Sequence, residues 1–294
     1  MPATVTAAAI PTSPDSFQRY YEEAGPDYAV WSAEFNMHFG FFRWGMNPLN
    51  REAMLEQMNL EVLRRLMLAD AAPTVLDMGC GLAATLRSFA RRVPSANLSG
   101  ITLVPWQLEQ GQVLNHVDPR AEAIRLHLGN YEKTDFASET FDGVYAIESS
   151  CYAAGVNKAR LIREARRVLR PGGRIVVADG FVGPGRLRGP QKSIYRALCD
   201  CWAIDTLGEI DAFTCALEGE GFRDIVVEPM RARVTPSVFH VPWVTIKFLL
   251  TSVVLGRRKM TRARWNNVLA PILLPFVASP VGPVGYYLVS ATRV

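Results

Sequence analysis

The stretch Val75-Leu76-Asp77-Met78-Gly79-Cys80-Gly81-Leu82-Ala83 constrains this chain more than any other. It reads as a short apolar strand with an acid near its end, a turn through two glycines, and a helix from Ala83 to about Arg92. Glycine lets backbone approach a ligand closely, and a helix start offers free N–H groups to an anion. Such a loop suits a nucleotide-like ligand that carries a carboxylate. The spacing Gly79-x-Gly81-x-x-Ala84 also fits the glycine pattern of dinucleotide sites, but that pattern needs an acid about 20 residues later for a ribose hydroxyl. The next strand, 97–102, contains no acid. Asp77 is the acid this loop has to offer.

Strands and helices alternate from there. Strands near 74–78, 97–102, 124–128, 143–147 and 173–179, with helices near 83–92, 105–116 and 157–169, predict an α/β fold with a doubly wound, mostly parallel sheet. Ligands of such sheets sit beyond the carboxyl ends of the strands, where the strand order reverses. A Gly/Pro/Arg loop at 180–189 leads to helices near 191–207 and 211–220, a strand at 225–228 and an antiparallel last strand at 285–292, which brings the sheet to seven strands. The expected organisation is a disordered tail over 1–16, a helical cap over 17–70, a core of 71–234 plus 285–294, and an apolar insert over 235–284. Asn50 is the expected N-cap of a helix over 51–68.

A chain of 294 residues holds one large domain or two small ones, and 49% apolar residues suffice for a buried core. The net charge of +4 is mild and the core lacks the basic clustering that nucleic acid requires. Five cysteines show no paired metal spacing, Cys199 and Cys201 being a lone close pair; with no secretory signal they read as reduced thiols of a cytoplasmic protein. No metal is expected.

The insert needs a membrane test. Residues 265–292 carry no charge and are long enough to span a bilayer, but Pro271, Pro275, Pro280 and Pro283 argue against one continuous helix. The run 241–255 is short and interrupted by Lys247. Two readings stay open: an apolar lid or membrane-surface patch beside Arg257, Arg258, Lys259, Arg262 and Arg264, or a packed helical cap with a solvated basic face.

Further blocks follow the glycine loop in order: Gly100-Ile101-Thr102-Leu103 with Gln107, Gly129-Asn130-Tyr131-Glu132, Phe141 to Glu148, and Glu164 to Gly173. Over residues 75–180 the chain resembles class I S-adenosylmethionine-dependent methyltransferases. The similarity is to the branch of cyclopropane-fatty-acid synthases and sterol and tocopherol methyltransferases. That resemblance implies a Rossmann-like methyltransferase fold and S-adenosyl-L-methionine as cofactor. It implies Asp77, Gly79, Cys80 and Gly81 at the methionine half, Thr102, Leu103 and Gln107 at ribose and methionine, and Asn130, Tyr131 and Glu132 at adenine. Thr102 as a plain strand residue remains the alternative.

Glu148 is the matching glutamate beside the reacting carbon and is expected both to catalyse and to border the cofactor. Relatives follow it with a histidine; here Ser149, Ser150, Cys151 and Tyr152 stand instead, which tells against cyclopropane chemistry itself. His38, in Met37-His38-Phe39-Gly40, matches a His/Tyr-Phe-Gly element of relatives. Nine aromatics fall between Tyr20 and Trp44. Aromatic faces stabilise cations, so Tyr20, Tyr21, Trp31 and Trp44 are candidates for a carbocation site, Tyr21 foremost; plain packing of the cap is the other reading. His116, His127 and His240 read as surface or core residues. Arg186 and Arg188 leave room for a diphosphate acceptor with Mg²⁺.

The expected function is methyl transfer to an apolar small molecule, favoured as C-methylation of an isoprenoid or lipid alkene through a carbocation. The alternative is an O- or N-methyltransferase of a natural product, and a third class is a non-catalytic membrane-surface binder that kept the fold. The sequence leaves the oligomeric state open, and with it whether a cytoplasmic enzyme also touches a membrane peripherally.

Overall fold

The computed structural model describes residues 14–121, 123–184, 187, 189–251, 255, 259–278 and 282–294. Arg186, Arg188, Arg257, Arg258, Pro280 and the first thirteen residues of the expected tail lie outside them. Helix α1 (Pro14–Ala24) begins inside that tail and is followed by a 3-10 turn, Gly25–Val30. Helix α2 (Arg51–Leu66) starts where its cap demands: the Asn50 side chain accepts a hydrogen bond from the Ala53 N–H at 3.0 Å.

The core then alternates: β1 (Thr74–Met78), α3 (Ala84–Arg92), β2 (Asn97–Thr102), α4 (Pro105–Val117), β3 (Ile124–Leu128), β4 (Phe141–Ile147), α5 (Ala159–Val168) and β5 (Leu169–Val182). After it come α6 (Pro190–Cys201), β6 (Gly208–Glu209), α7 (Ile210–Gly219), β7 (Phe222–Pro229), α8 (Arg231–Val238), α9 (Val241–Leu249), α10 (Arg262–Val277) and β8 (Val284–Arg293). The strand order is β3-β2-β1-β4-β5-β8-β7. Strands β1 to β5 run parallel, and β8 runs antiparallel to both β5 and β7. The seven expected strands form that path; an eighth, the two-residue β6, pairs with the end of β5. Strand order reverses between β1 and β4, so the crevice for a ligand opens above those two strands.

Period-two alternation divides the core between the two sheet faces. Leu76, Met78, Val144, Ala146, Ile175 and Val177 join the cluster under α5 and α7. Val75, Tyr145, Val176 and Ala178 join the cluster under α2 and α3.

Residues 265–292 are not one continuous helix, as the prolines led us to expect, although α10 itself passes through Pro271 and Pro275 without breaking. Two prolines four residues apart place both missing N–H donors on one face, so the other face keeps its ladder. The helix still stops at Val277, and 284–293 is strand. Among the described residues no helix is long and apolar enough to cross a membrane.

Candidate active site

Two cavities open above the carboxyl ends of the strands. The first, about 480 Å³, is lined by Asp77, Gly79, Cys80, Gly81, Thr102, Leu103, Gln107, Asn130, Tyr131, Glu132 and Glu148. Every residue expected around the cofactor therefore meets in one space. The second, about 240 Å³, is mostly apolar and is walled by the aromatic cap, by α6 and by the insert helices α9 and α10. Tyr21, Met37, His38, Glu148 and Tyr152 line both. The Tyr21 and Tyr152 hydroxyls meet at 3.0 Å across that boundary.

The glycine loop is shaped by close contact. Gly79 has φ +101°, and a Cβ there would sit 2.4 Å from the Ser149 Cβ. Gly81 is also left-handed at φ +51°, with Met37 Sδ 3.3 Å from where its Cβ would be. Left-handed backbone favours glycine at both positions. Ser149 locks the loop by donating to the Met78 carbonyl at 2.6 Å, and Tyr131 donates to the Ser149 carbonyl at 2.7 Å.

Asp77 is buried, and burial lifts its carboxyl up to about 7. None of the ion pairs among the described residues reaches it. A buried acid facing a cavity without a cationic partner suits a ligand that brings its own positive charge. Thr102 ends β2 with its hydroxyl 2.6 Å from Gln107 Oε1, both side chains buried, which leaves the Gln107 amide group as a donor toward the cavity. Asn130 is exposed and turns its own loop by accepting from the Glu132 N–H at 2.8 Å, while Glu132 accepts from the Ala154 N–H at 2.7 Å. These contacts position the 130–132 turn at the cavity rim. A positively charged amino-acid nucleoside thus fits this cavity, the acid and the glycine cradle at one end and the Asn130–Glu132 turn at the other.

Glu148 is the first residue beyond β4 and has φ +47°, a left-handed strain that costs of order 1 kcal/mol or more for a residue with a side chain. Its N–H still bonds the Ala178 carbonyl at 2.9 Å. One carboxylate oxygen accepts from the Phe39 N–H at 2.7 Å and from the Tyr286 hydroxyl at 3.0 Å. Glu148 is half-buried by area because it lines both cavities, yet the surrounding protein desolvates it and lifts its carboxyl to about 8. Two donors and the nearby Asp179 modulate that rise, the donors downward and the acid upward.

His38 is buried and already engaged: Nδ1 lies 2.9 Å from the Phe39 carbonyl and Nε2 lies 3.0 Å from Asn59 Oδ1. Burial lowers its basicity. Its place is to hold the turn that aims the Phe39 N–H at Glu148. Tyr20 and Tyr21 sit in an aromatic cluster with Phe17, Tyr28 and Tyr152, and Trp31 donates to the His38 carbonyl at 3.1 Å. Trp44 does not join them: it is 84% exposed and lines neither cavity.

Sequence reasoning missed three groups. Tyr286 comes from β8, whose register sets Gly180 opposite Tyr286 and so brings the hydroxyl to the end of β4. Asp179 lines the apolar cavity as a further acid beside Asp27 and Glu148, held by the Ser150 hydroxyl at 2.7 Å and the Cys151 N–H at 2.9 Å. Its position after Val176-Val177-Ala178, an acid at the carboxyl end of an apolar strand, repeats the pattern that singled out Glu148. Lys158 is fully buried and caps three carbonyls, those of Cys151, Ala153 and Thr206, at 3.1, 2.7 and 2.8 Å.

Residues 76–177 match the family model described as a methyltransferase domain. The methyltransferase phqN of Penicillium fellutanum is 30% identical over 203 residues, which is 63% of this chain and 59% of that protein, so the chain spans under two thirds of that relative. Among solved structures, the [4+2]-cyclase SpnF superposes with a TM-score of 0.76 at 17% identity, covering 96% of this chain and 97% of that one. Geranyl diphosphate C-methyltransferase from Streptomyces coelicolor A3(2), in complex with Mg²⁺, geranyl diphosphate and S-adenosyl-L-homocysteine, gives 0.70 at 16% identity over 98% and 100% of the two chains. Residues 76–177 thus match a methyltransferase domain, and the sheet order and the fold likeness to solved methyltransferases agree with that match.

Proposed function

We propose that the protein methylates carbon on an apolar small molecule, an isoprenoid or lipid alkene, with Glu148 as the proton acceptor. The observation that carries this reading is Glu148 itself: a carboxyl lifted to about 8, standing where the cofactor cavity meets an apolar chamber. S-adenosylmethionine, when bound, supplies a methyl group on positively charged sulfur. Asp77 pairs with its ammonium group, Thr102 and Gln107 meet the ribose and methionine side, and the Asn130–Glu132 turn meets the adenine.

The acceptor lies in the second cavity, where water is excluded and orientation lowers the barrier. The alkene π electrons would form the new C–C bond as the methyl–sulfur bond broke, its electron pair staying on the now neutral thioether, and positive charge would fall on the neighbouring acceptor carbon. The faces of Tyr21, Tyr28, Trp31 and Tyr152 stabilise that charge, by about 2 kcal/mol each when desolvated. Glu148 then removes a proton from the adjacent carbon and the double bond re-forms. A solved geranyl diphosphate C-methyltransferase shares this fold; fold alone does not transfer its activity, as the cyclase SpnF makes plain.

A second reading is O-methylation. A carboxyl titrating near 8 is basic enough to assist a phenol-like hydroxyl, and the new methyl would then sit on oxygen. The five cysteines, free in every case, suit a cytoplasmic enzyme, and an apolar acceptor suits peripheral contact of that enzyme with a membrane. The test is methyl-deuterated S-adenosylmethionine with a panel of prenyl diphosphates, prenylated quinols and sterols. Mass spectrometry detects the label and nuclear magnetic resonance locates it. A label on carbon is the expected result; a label on oxygen or nitrogen overturns the carbocation role of the aromatic cap.

A further inference from the structure

The insert helices have two apolar sides. Val241, Val244 and Phe248 of α9 and Val268, Pro271 and Leu274 of α10 face the chamber. On α9 the large apolar residues Trp243 and Ile246 are exposed, Trp243 by 67%, and so are Phe239 and Leu250, which flank the helix. Helix α10 exposes Trp265, Leu269, Ile272 and Phe276, Trp265 being 49% exposed. In α10 the exposed residues fall at i, i+4, i+7 and i+11, one stripe of the helix surface, and in α9 Trp243 and Ile246 share a face at i, i+3. The loop beside α9 adds Trp44 and Leu49, both more than 80% exposed; His240 at the start of α9 ties to it through the Pro48 carbonyl at 2.7 Å. Soluble surfaces seldom expose so many large apolar side chains together.

Charge says what covers this surface. Residues 231–294 contain nine Lys and Arg and no Asp or Glu, while the whole chain is only +4, so the first 230 residues carry a net −5. Lys247, Lys259 and Arg262 are exposed beside the two apolar faces. A second copy of this chain would oppose this cationic surface with its own like charge if it met it face to face. An anionic lipid surface complements both the apolar faces and the cations.

We propose that α9, α10 and the 43–50 loop form a docking surface for an anionic lipid bilayer, lying in the interface with Trp44, Trp243 and Trp265 as anchors. The same two helices then separate membrane from chamber, so an apolar acceptor reaches the site without crossing water. That last consequence rests on the function proposed above; the docking does not.

The experiment uses the full chain with vesicles of phosphatidylcholine alone or mixed with phosphatidylglycerol, read by co-sedimentation and tryptophan emission. Binding to the anionic vesicles is expected to be at least about tenfold tighter, to blue-shift the emission and to weaken with salt, at about fivefold in affinity per cation engaged. The double variant W243S/W265S should lose vesicle binding while calorimetry finds S-adenosylmethionine bound as before, which separates docking from misfolding. K247E/R262E should lose the preference for anionic lipid. Vesicle binding that is absent, or that survives W243S/W265S, overturns the proposal. So does light scattering that finds a dimer abolished by W243S/W265S, because these faces would then be an interface between copies. Vesicle binding is read without any methyl acceptor, so failure of the catalytic reading leaves this test intact.

Discussion

Replacing Glu148 by Gln keeps the shape of the side chain and removes its titration, and the structure fixes what that should do. In the folded protein the carboxyl is lifted from 4.5 to about 8. Between those values the folded state holds a proton that the unfolded state has lost, so stability falls as pH rises. Each unit of pKa difference is worth about 1.4 kcal/mol. From pH 5 to pH 8 this one group therefore costs the folded state on the order of 3 kcal/mol. Glu148→Gln escapes that cost. Its melting temperature should match the parent at pH 5 and exceed it by several degrees at pH 8, since about 1 kcal/mol moves a domain of this size by a few degrees. Asp77 and Asp179 are lifted as well, but both proteins keep them, so the difference isolates Glu148. The same variant should lose turnover by about a hundredfold or more, the usual worth of a positioned base. Parallel pH–stability curves for the two proteins would refute the desolvation argument. Turnover within a few-fold of the parent would refute the base.

Three further outcomes follow from the same geometry. Asp77→Asn should weaken S-adenosylmethionine about a hundredfold by calorimetry, and the parent's affinity should rise with pH as Asp77 and then Glu148 ionise, levelling off only above about 8. Gly79→Ala should abolish cofactor binding or folding, since its Cβ would stand 2.4 Å from the Ser149 Cβ on a left-handed backbone; circular dichroism tells the two apart. Tyr286→Phe removes a donor that favours the ionised form of Glu148, so the alkaline rise of the turnover profile should move up by about one pH unit with little change in cofactor affinity.

Local signals were readable in the sequence, and long-range ones were not. Asp77, the two glycines, Thr102, Asn130 and Glu148 all sit at strand ends, so reading the strands was enough to bring them to one edge of the sheet. Tyr286 and the Phe39 N–H reach Glu148 across 138 and 109 residues of sequence, and no local pattern carries that information. Trp44 shows the limit from the other side: aromatic spacing in the cap cannot tell a wall of the chamber from a residue that is almost wholly exposed. The prolines foretold that 265–292 is not one helix but not that α10 runs through two of them, because α10 gains its stability from the buried Val268, Ala270, Leu274 and Val277 rather than from an unbroken backbone ladder.

The two cavity acids also predict a proton count. With carboxyls near 7 and 8, Asp77 and Glu148 together hold about 1.4 protons at pH 7. A cation in the cofactor cavity favours the ionised form of both. Binding should therefore release protons, and the number should depend on the charge delivered. In the proposed placement S-adenosylmethionine would bring a positive sulfur toward Glu148, whereas S-adenosylhomocysteine would bring its ammonium to Asp77 but has a neutral sulfur. Calorimetry in two buffers of different ionisation enthalpy reads the count directly. About one proton more per site should leave with the methionine form than with the homocysteine form, and Glu148→Gln should erase that difference while leaving the Asp77 share. Equal release by both ligands in the parent would mean that Glu148 lies too far from the sulfur to feel its charge, and the base would then have to be sought elsewhere, with Asp179 the next acid along the chamber wall.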